Sequence, residues 1–451
     1  MKRKSLCIIT FMLVVALLFS SCESRRIVNT VDSLLTPPLY YTEYEGLVDA
    51  FNEYAGINPS LITPSSGDYT SAITVEDVDG DDAEEAIVTY KDSGSETFAC
   101  VCFLQNTENG WQAVESFTGY GDEIYSVDID DLDNDGVCEI MIAWAYSGIT
   151  GGYVYSAYTH TSSGGYNEIK GESCDAFDLI DIDADGNKEI FLITSSTEAG
   201  VVSRKAKAFG ISGGKISLKG SVAVDPGVIA YNPITVEGSG EGVPPVLYID
   251  AVKSDKQMIT EMIVWNSETK TLTAPLCDET TGANLLSLRY EQITSFDVNS
   301  DGKIEIPVQT PYGESAEGEE NSSSDLYLTR WIRYENGKTK NIMNSFVNPD
   351  DGYLVNLDGM GLKKTGVTKY TSRNCWIIYN DDGKSKIGNE LFTILRVSNK
   401  RWSSEDMSSY IRIASSTDGV ICVYPTQKGK GLGYDEAKIK KIIIPLQEVT
   451  K

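Results

Sequence analysis

One pattern recurs along the chain and restricts its architecture more than any other feature: an apolar strand, a nine-residue loop opening on Asp and closing on Glu, and a second apolar strand. The loops are Asp77-Val-Asp-Gly-Asp-Asp-Ala-Glu-Glu85, Asp131-Leu-Asp-Asn-Asp-Gly-Val-Cys-Glu139, Asp181-Ile-Asp-Ala-Asp-Gly-Asn-Lys-Glu189 and Asp297-Val-Asn-Ser-Asp-Gly-Lys-Ile-Glu305, followed by AIVTY, IMIAW, IFLIT and IPVQT. Their starts lie 54, 50 and 116 residues apart. A fixed period of this size marks stacked supersecondary units, none of which can bury its apolar face alone. The long last interval fits two units, with a worn copy from Ile249-Asp250 to Asp255 before MITEMIVW. Fainter echoes stand at Asn356-Leu-Asp-Gly359 and Ser415-Ser-Thr-Asp-Gly419. Seven marks predict an all-β β-propeller of seven blades, with six as the alternative, since a four-stranded blade takes ~40–50 residues.

Composition agrees. Short Val/Ile/Tyr/Thr-rich runs separated by Gly/Asn/Asp turns dominate, and 40 Gly stand against 14 Pro, as strands joined by tight turns require. The formal charge is −28, from 66 acidic and 38 basic residues. Phosphate backbones would repel such a chain, which argues against nucleic acid as a partner.

The N-terminus reads as a targeting segment. Lys2, Arg3 and Lys4 precede an apolar stretch from Ser5 to Phe19, and Leu18-Phe19-Ser20-Ser21-Cys22 follows. This resembles a bacterial lipobox, with Phe19 where Leu is usual. The resemblance implies a signal peptide over 1–21, lipidation of Cys22, a tether over 22–42 and attachment to the extracytoplasmic face of the cell membrane. An ordinary secretory signal or an uncleaved anchor is the competing reading. Thr42-x-x-Glu45 forms a capping box before Leu47, Val48, Phe51 and Tyr54, and Gly56 and Pro59 end that pattern, so a short helical cap is expected within 43–60. Blades are expected over 61–400, and a closing blade or cap over 401–451.

Seven cysteines remain beyond Cys7 and Cys22: Cys100, Cys102, Cys138, Cys174, Cys277, Cys375 and Cys422. An odd number leaves at least one thiol unpaired within a monomer. Burial as small apolar residues is the leading reading and a partial disulfide set the other.

The Asp loops carry the chemistry. Alternate side chains at positions 1, 3 and 5, a carbonyl at 7 and an acid at 9 can surround one hard cation such as Ca²⁺, which takes six to eight oxygens. Gly at position 6 permits a sharp, positive-φ turn; Asp82 replaces it in the first loop, where strain is expected. An EF-hand would place its closing acid at position 12 between helices, which this spacing disfavours. The pattern resembles the FG-GAP/VCBS repeats of integrin-α-like propellers, well over about 71–308 and weakly beyond. Missing Phe-Gly and Gly-Ala-Pro signatures make it more similar to the bacterial VCBS type. The resemblance implies Ca²⁺ held by Asp77, Asp79, Asp81 and Glu85; Asp131, Asp133, Asp135 and Glu139; Asp181, Asp183, Asp185 and Glu189; and Asp297, Asn299, Asp301 and Glu305. In such repeats the ion braces a blade and performs no chemistry. Solvated turns without an ion are the plainer alternative.

No catalytic constellation stands out. His160, the one histidine, falls on what reads as an exposed polar hairpin, with no G-x-S-x-G elbow. Gly210-Ile-Ser-Gly-Gly-Lys215 is one residue short of a P-loop and reads as a hairpin turn. The expected function is a binding, adhesion or assembly module for a protein or glycan. The rival is a propeller-scaffold lyase or hydrolase of surface polysaccharide, which a deep axial pocket lined by paired acids with Tyr or Arg would favour.

Overall fold

The computed structural model describes residues 45–56, 59–92, 98–148, 152–161, 163–238, 242–253, 257–312, 326–362, 364–370, 375–381 and 388–446. Cys22, the tether, Thr42, Asp255 and the acidic segment 314–325 lie outside them. Six antiparallel sheets follow one another along the chain. Ser60–Leu61, Ile73–Glu76, Glu85–Lys91, Ala99–Thr107 and Gly110–Thr118 build the first. Glu123–Asp130, Glu139–Ala145, Tyr153–His160 and Tyr166–Cys174 build the second. The third holds Ala176–Ile180, Glu189–Glu198, Val201–Ser212 and Lys215–Val224. The fourth holds Val228–Tyr231, Thr235–Glu237, Val246–Lys253, Met258–Asn266 and Thr271–Thr273. Ile306–Pro311, Tyr327–Glu335, Lys338–Asn348 and Tyr353–Asn356 form the fifth, joined by the returning strand Ile443–Pro445. Thr365–Tyr370, Cys375–Asn380, Glu390–Val397, Gly419–Pro425 and Ile411–Ser416 complete the sixth.

Alternation explains the stacking. In a strand, successive side chains point to opposite faces, and here both faces are buried, so the strands after the loops read as unbroken apolar runs. Ile140 and Ile142 pack against Ile87, Val101 and Phe103 of the first sheet, while Met141 and Ala143 pack with Ile190 and Leu192 of the third. Phe191 and Ile193 turn the other way, onto Leu247, Ile249 and Ile263 of the fourth. The series continues through Tyr248 and Met262 against Ile306 and Val308, then Phe346 and Val355 against Trp376 and Phe392. The face of the first sheet turned from the second is covered by helix Glu45–Ala55, whose Leu47 and Phe51 are buried on Tyr90, Cys100 and Cys102. Tyr54, expected on the same apolar stripe, is exposed. The outer face of the sixth sheet packs Val397, Val420 and Cys422 beside Trp402 of helix Asn399–Ser404.

The described residues form six sheets, the alternative count rather than the preferred seven. Asn356 ends the strand Tyr353–Asn356 and its side chain accepts the Gly359 N–H, leading into the short 3₁₀ turn Asp358–Met360 between the fifth and sixth sheets. Ser415–Gly419 is the tight hairpin between two strands of the sixth sheet. Neither starts a sheet. The worn copy at Asp250 is not a loop either, since Asp250 lies inside a strand, opposite Thr260. The true counterpart of the Asp loops in the fourth sheet connects Glu237 to Val246, with the same nine-residue step as Ile180 to Glu189. Its sequence, Gly238-Ser-Gly-Glu-Gly-Val-Pro-Pro-Val246, contains no Asp and no closing Glu. No disulfide joins the described cysteines; Cys100, Cys102, Cys174 and Cys422 are buried among apolar neighbours, as the leading reading expected. Among the described residues no helix is long and apolar enough to cross a membrane.

Candidate functional site

Each Asp loop leads into an apolar strand, from the strands Ile73–Glu76, Glu123–Asp130 and Ala176–Ile180 in the first three and from the bridge of Phe296 with Glu305 in the fourth, and is folded by one recurrent set of hydrogen bonds. The apolar residue at position 2 (Val78, Leu132, Ile182, Val298) is buried and pins the loop to the core. Its backbone N–H donates to Oε2 of the closing glutamate, at 2.9 Å for Glu85, 3.1 Å for Glu139, 3.0 Å for Glu189 and 3.1 Å for Glu305. The first Asp accepts N–H groups from the far side of the turn: Asp131 takes those of Asp135 and Gly136, and Asp181 those of Asp185 and Gly186. The Asp at position 5 accepts the N–H two residues on, as Asp135 does from Val137. The sequence had no signal singling out position 2 until its burial was seen.

Two residues per loop adopt positive φ. Position 6 is Gly136, Gly186 and Gly302 in three loops, and position 4 is Asn134, Ala184 and Ser300. In the first loop the order is exchanged, with Gly80 at position 4 and Asp82 (φ 69°) at position 6. Asp82 does bear the expected positive φ, but every loop has one glycine and one other residue in the left-handed region. The first is therefore not the uniquely strained one, because Asp tolerates that region better than most residues.

The outcome is a set of acidic cups. Oxygens of Asp77, Asp79 and Glu85, of Asp131, Asp133 and Glu139, and of Asp181, Asp183 and Glu189 each lie within 4.8 Å of one another. Asp81, Asp135 and Asp185 are not in these gathered sets, and Asp297, Asp301 and Glu305 form none. In the fourth loop Asn299 turns inward, its side-chain oxygen accepting the Asp301 N–H and its amide donating to Asp301. Glu85 and Glu139 are 2% and 4% exposed. Burial pushes their carboxyls up to about 7, helped by the neighbouring Asp charges and opposed by the position-2 N–H bonds. Asp79, Asp133 and Asp183 each bury an Oδ1 with no hydrogen-bond partner. A buried carboxylate oxygen without a partner is costly, and a hard cation between the three acids removes that cost. Donor set and geometry in the first two cups therefore fit Ca²⁺.

The four loops differ in what reaches them from outside. His160 is not exposed on a hairpin as expected: its side chain is 12% exposed, Nε2 lies 3.5 Å from Asp79 Oδ2, and Gln105 Nε2 is 3.1 Å away. The second cup receives the Gly213 N–H on Asp133 Oδ2 at 2.8 Å, from the hairpin that the sequence set apart as a false P-loop. The third is entered by Lys219, whose Nζ lies 3.1 Å from Asp183, 2.9 Å from Asp185 and 2.6 Å from Glu189. The fourth is entered by Arg333, which bonds both Asp301 oxygens and Glu305.

A separate cavity of about 160 Å³ lies between the first strands of the second and third sheets, lined by Tyr125, Ser126, Asp128, Tyr155, Phe177 and Asp178 among others. Asp128 and Asp178 sit at equivalent positions, two residues before the last residue of their strands. Burial raises both carboxyls, and the Asp178 charge raises Asp128 further. The Tyr155 hydroxyl is buried without a hydrogen-bond partner. None of these residues carried a sequence signal, since inner-strand acids are hidden among the many others.

No protein-family profile matches the chain, and no curated protein matches it. Among solved structures it is similar to the Bacillus licheniformis rhamnogalacturonan lyase PL11, with TM-score 0.26 and 14% sequence identity over 61% of this chain and 65% of that one. The chain thus covers less than two thirds of the lyase. A likeness this loose assigns neither activity nor substrate.

Proposed function

We propose that this chain is a lipid-anchored envelope protein whose six sheets are the blades of a Ca²⁺-braced β-propeller that binds a protein or glycan. The observation that carries the metal part is the orphaned Oδ1 of Asp79 and Asp133 in cups with a buried closing glutamate and, unlike the third cup where Asp183 has the same orphan, no lysine on the acids. The ion would hold the first and second strands of a blade at fixed separation and so keep the surrounding loops in one conformation for a ligand. The supporting test uses the chain from Glu23 onward as bait against envelope proteins and glycans. Capture in Ca²⁺ and its loss in EDTA is the expected result; capture indifferent to EDTA would separate binding from the ion. Cys22→Ala should move the full-length protein from the detergent phase to the soluble fraction, and unchanged partitioning would remove Cys22 as the anchor.

One observation favours the enzyme reading: the paired, desolvated Asp128 and Asp178 line one cavity beside Tyr155, and carboxyls gathered in a cleft are the groups that general acid–base cleavage uses. If they cleave surface polysaccharide, Asp128→Asn and Asp178→Asn should each lower turnover at least a hundredfold while leaving the melting temperature in place. Polysaccharide bound but never cleaved by the parent protein would leave binding as the function.

A further inference from the structure

The third and fourth loops keep the fold of a cation-binding loop, yet each contains a cation of the protein's own. Lys219 reaches its cup by a specific construction. The strand Lys215–Val224 pairs Leu218 with Phe209 and Gly220 with Ala208, leaving Lys219 as the extra residue of a bulge, a device that re-aims a side chain. Its stem crosses Gly210 of the neighbouring strand, where a Cβ would stand 3.0 Å from Lys219 Cε. A larger residue at 210 would obstruct that path. The ammonium ends within 3.1 Å of three of the four acids that the repeat pattern offers to an ion. A lysine so placed has surrendered part of its own hydration, and the three carboxylates together hold it above its ordinary range despite burial. Arg333 does the same in the fourth loop, 9% exposed, with Asp301 and Glu305 as partners. The first two cups receive no Lys or Arg side chain among the described residues.

Resting on the reading that the first two cups bind Ca²⁺, we propose that Lys219 and Arg333 are built-in counter-ions that close the third and fourth loops to metal, so that the chain binds two Ca²⁺ ions rather than four. The ammonium and a calcium ion would compete for the same oxygens of Asp183 and Glu189. Entry of the ion would require driving Lys219 out past Gly210 and leaving two like charges adjacent. The exchange makes the third and fifth sheets independent of calcium concentration while the first and second respond to it.

The test counts ions by native mass spectrometry and by calcium titration calorimetry on the chain from Glu23 onward. Two ions per chain are expected for the parent protein and three for Lys219→Met, which keeps the length of the stem and frees the cup. Three or four ions in the parent would overturn the proposal, as would two in a folded Lys219→Met protein. Should that variant fail to fold, Asp183→Asn in the parent background decides: two ions retained supports closure by Lys219, whereas one ion shows that the third cup was a metal site. No bound calcium in any protein would instead sink the underlying reading of the first two cups.

Discussion

Replacing Arg289 with Met is expected to cost about 3–5 kcal/mol of folding stability, the range found when one partner of a buried ion pair is removed. Arg289 is fully buried in the connection between the fourth and fifth sheets, and Nη2 lies 2.6 Å from Asp250 Oδ1. Its other nitrogens donate to Thr260 Oγ1, the Ser287 carbonyl and the Ile293 carbonyl. Asp250 also accepts from Thr260 Oγ1, Ser295 N–H and Ser295 Oγ. The Arg289 backbone bridges Met258, so one residue satisfies an irregular segment by both main chain and side chain. Met fills much of the stem's volume but leaves Asp250 charged, desolvated and short of its cation. Asp250→Asn should cost a similar amount through an unpaired guanidinium. Because each single change strands the other partner, the double variant should lose clearly less than the sum of the two. Urea unfolding of all four proteins gives the cycle; a loss under 1 kcal/mol for Arg289→Met would show that the pair holds nothing in place.

That pair also lies beyond what local sequence makes legible. The four Asp loops are legible because their acids are contiguous: nine residues contain the turn, the acids and the closing Glu, and a strand follows at once. The helix at Glu45–Ala55 was legible for the same reason, through Leu47 and Phe51 at helical spacing. Asp250 and Arg289 are 39 residues apart and Glu189 and Lys219 are 30 apart. Nothing local distinguishes Lys219 from an exposed lysine on an edge strand, because the bulge that turns it inward depends on pairing with Phe209. Asp250 imitates the remnant of a loop because it follows apolar residues, whereas it pairs with Thr260 as a buried member of that strand. The preference for seven over six rests on the last third of the chain, where turn residues at Asn356 and Ser415 imitate the loop without its closing acid. The paired Asp128 and Asp178 carry no local signal because their neighbourhood is made by two sheets.

Calcium is expected to raise the melting temperature, and the effect should come from the first two sheets. For extracellular sites Kd is roughly 10⁻⁴ to 10⁻³ M, so at about 2 mM Ca²⁺ a site at the tighter limit gains about 1.8 kcal/mol by mass action. Two such sites give about 3.6 kcal/mol. If all six sheets melt together, an unfolding entropy of ~2.1 cal/mol/K per residue over ~400 residues converts this to about 4 °C. If the first two sheets open as their own unit, the same energy acts on a smaller entropy and the shift is on the order of 10 °C. Asp133→Ala should abolish about half of the Ca²⁺-dependent gain. Asp79→Ala should do likewise, because the glycine at position 80 relieves the strain that Asp82 would otherwise add. Asp183→Ala should leave the gain intact, since that cup already holds Lys219. The pH dependence has a definite sign in EDTA. Glu85 and Glu139 are held near 7 against an ordinary 4.5, so the folded state binds protons that the unfolded chain releases. Their contribution is present below about 4.5 and is lost as pH rises through about 7. Saturating Ca²⁺ replaces those protons and should flatten that fall, so the curves in Ca²⁺ and EDTA separate most above pH 7. Melting curves in Ca²⁺ and EDTA that coincide at pH 8 would remove the metal from both cups, and a gain abolished by Asp183→Ala alone would move it to the third.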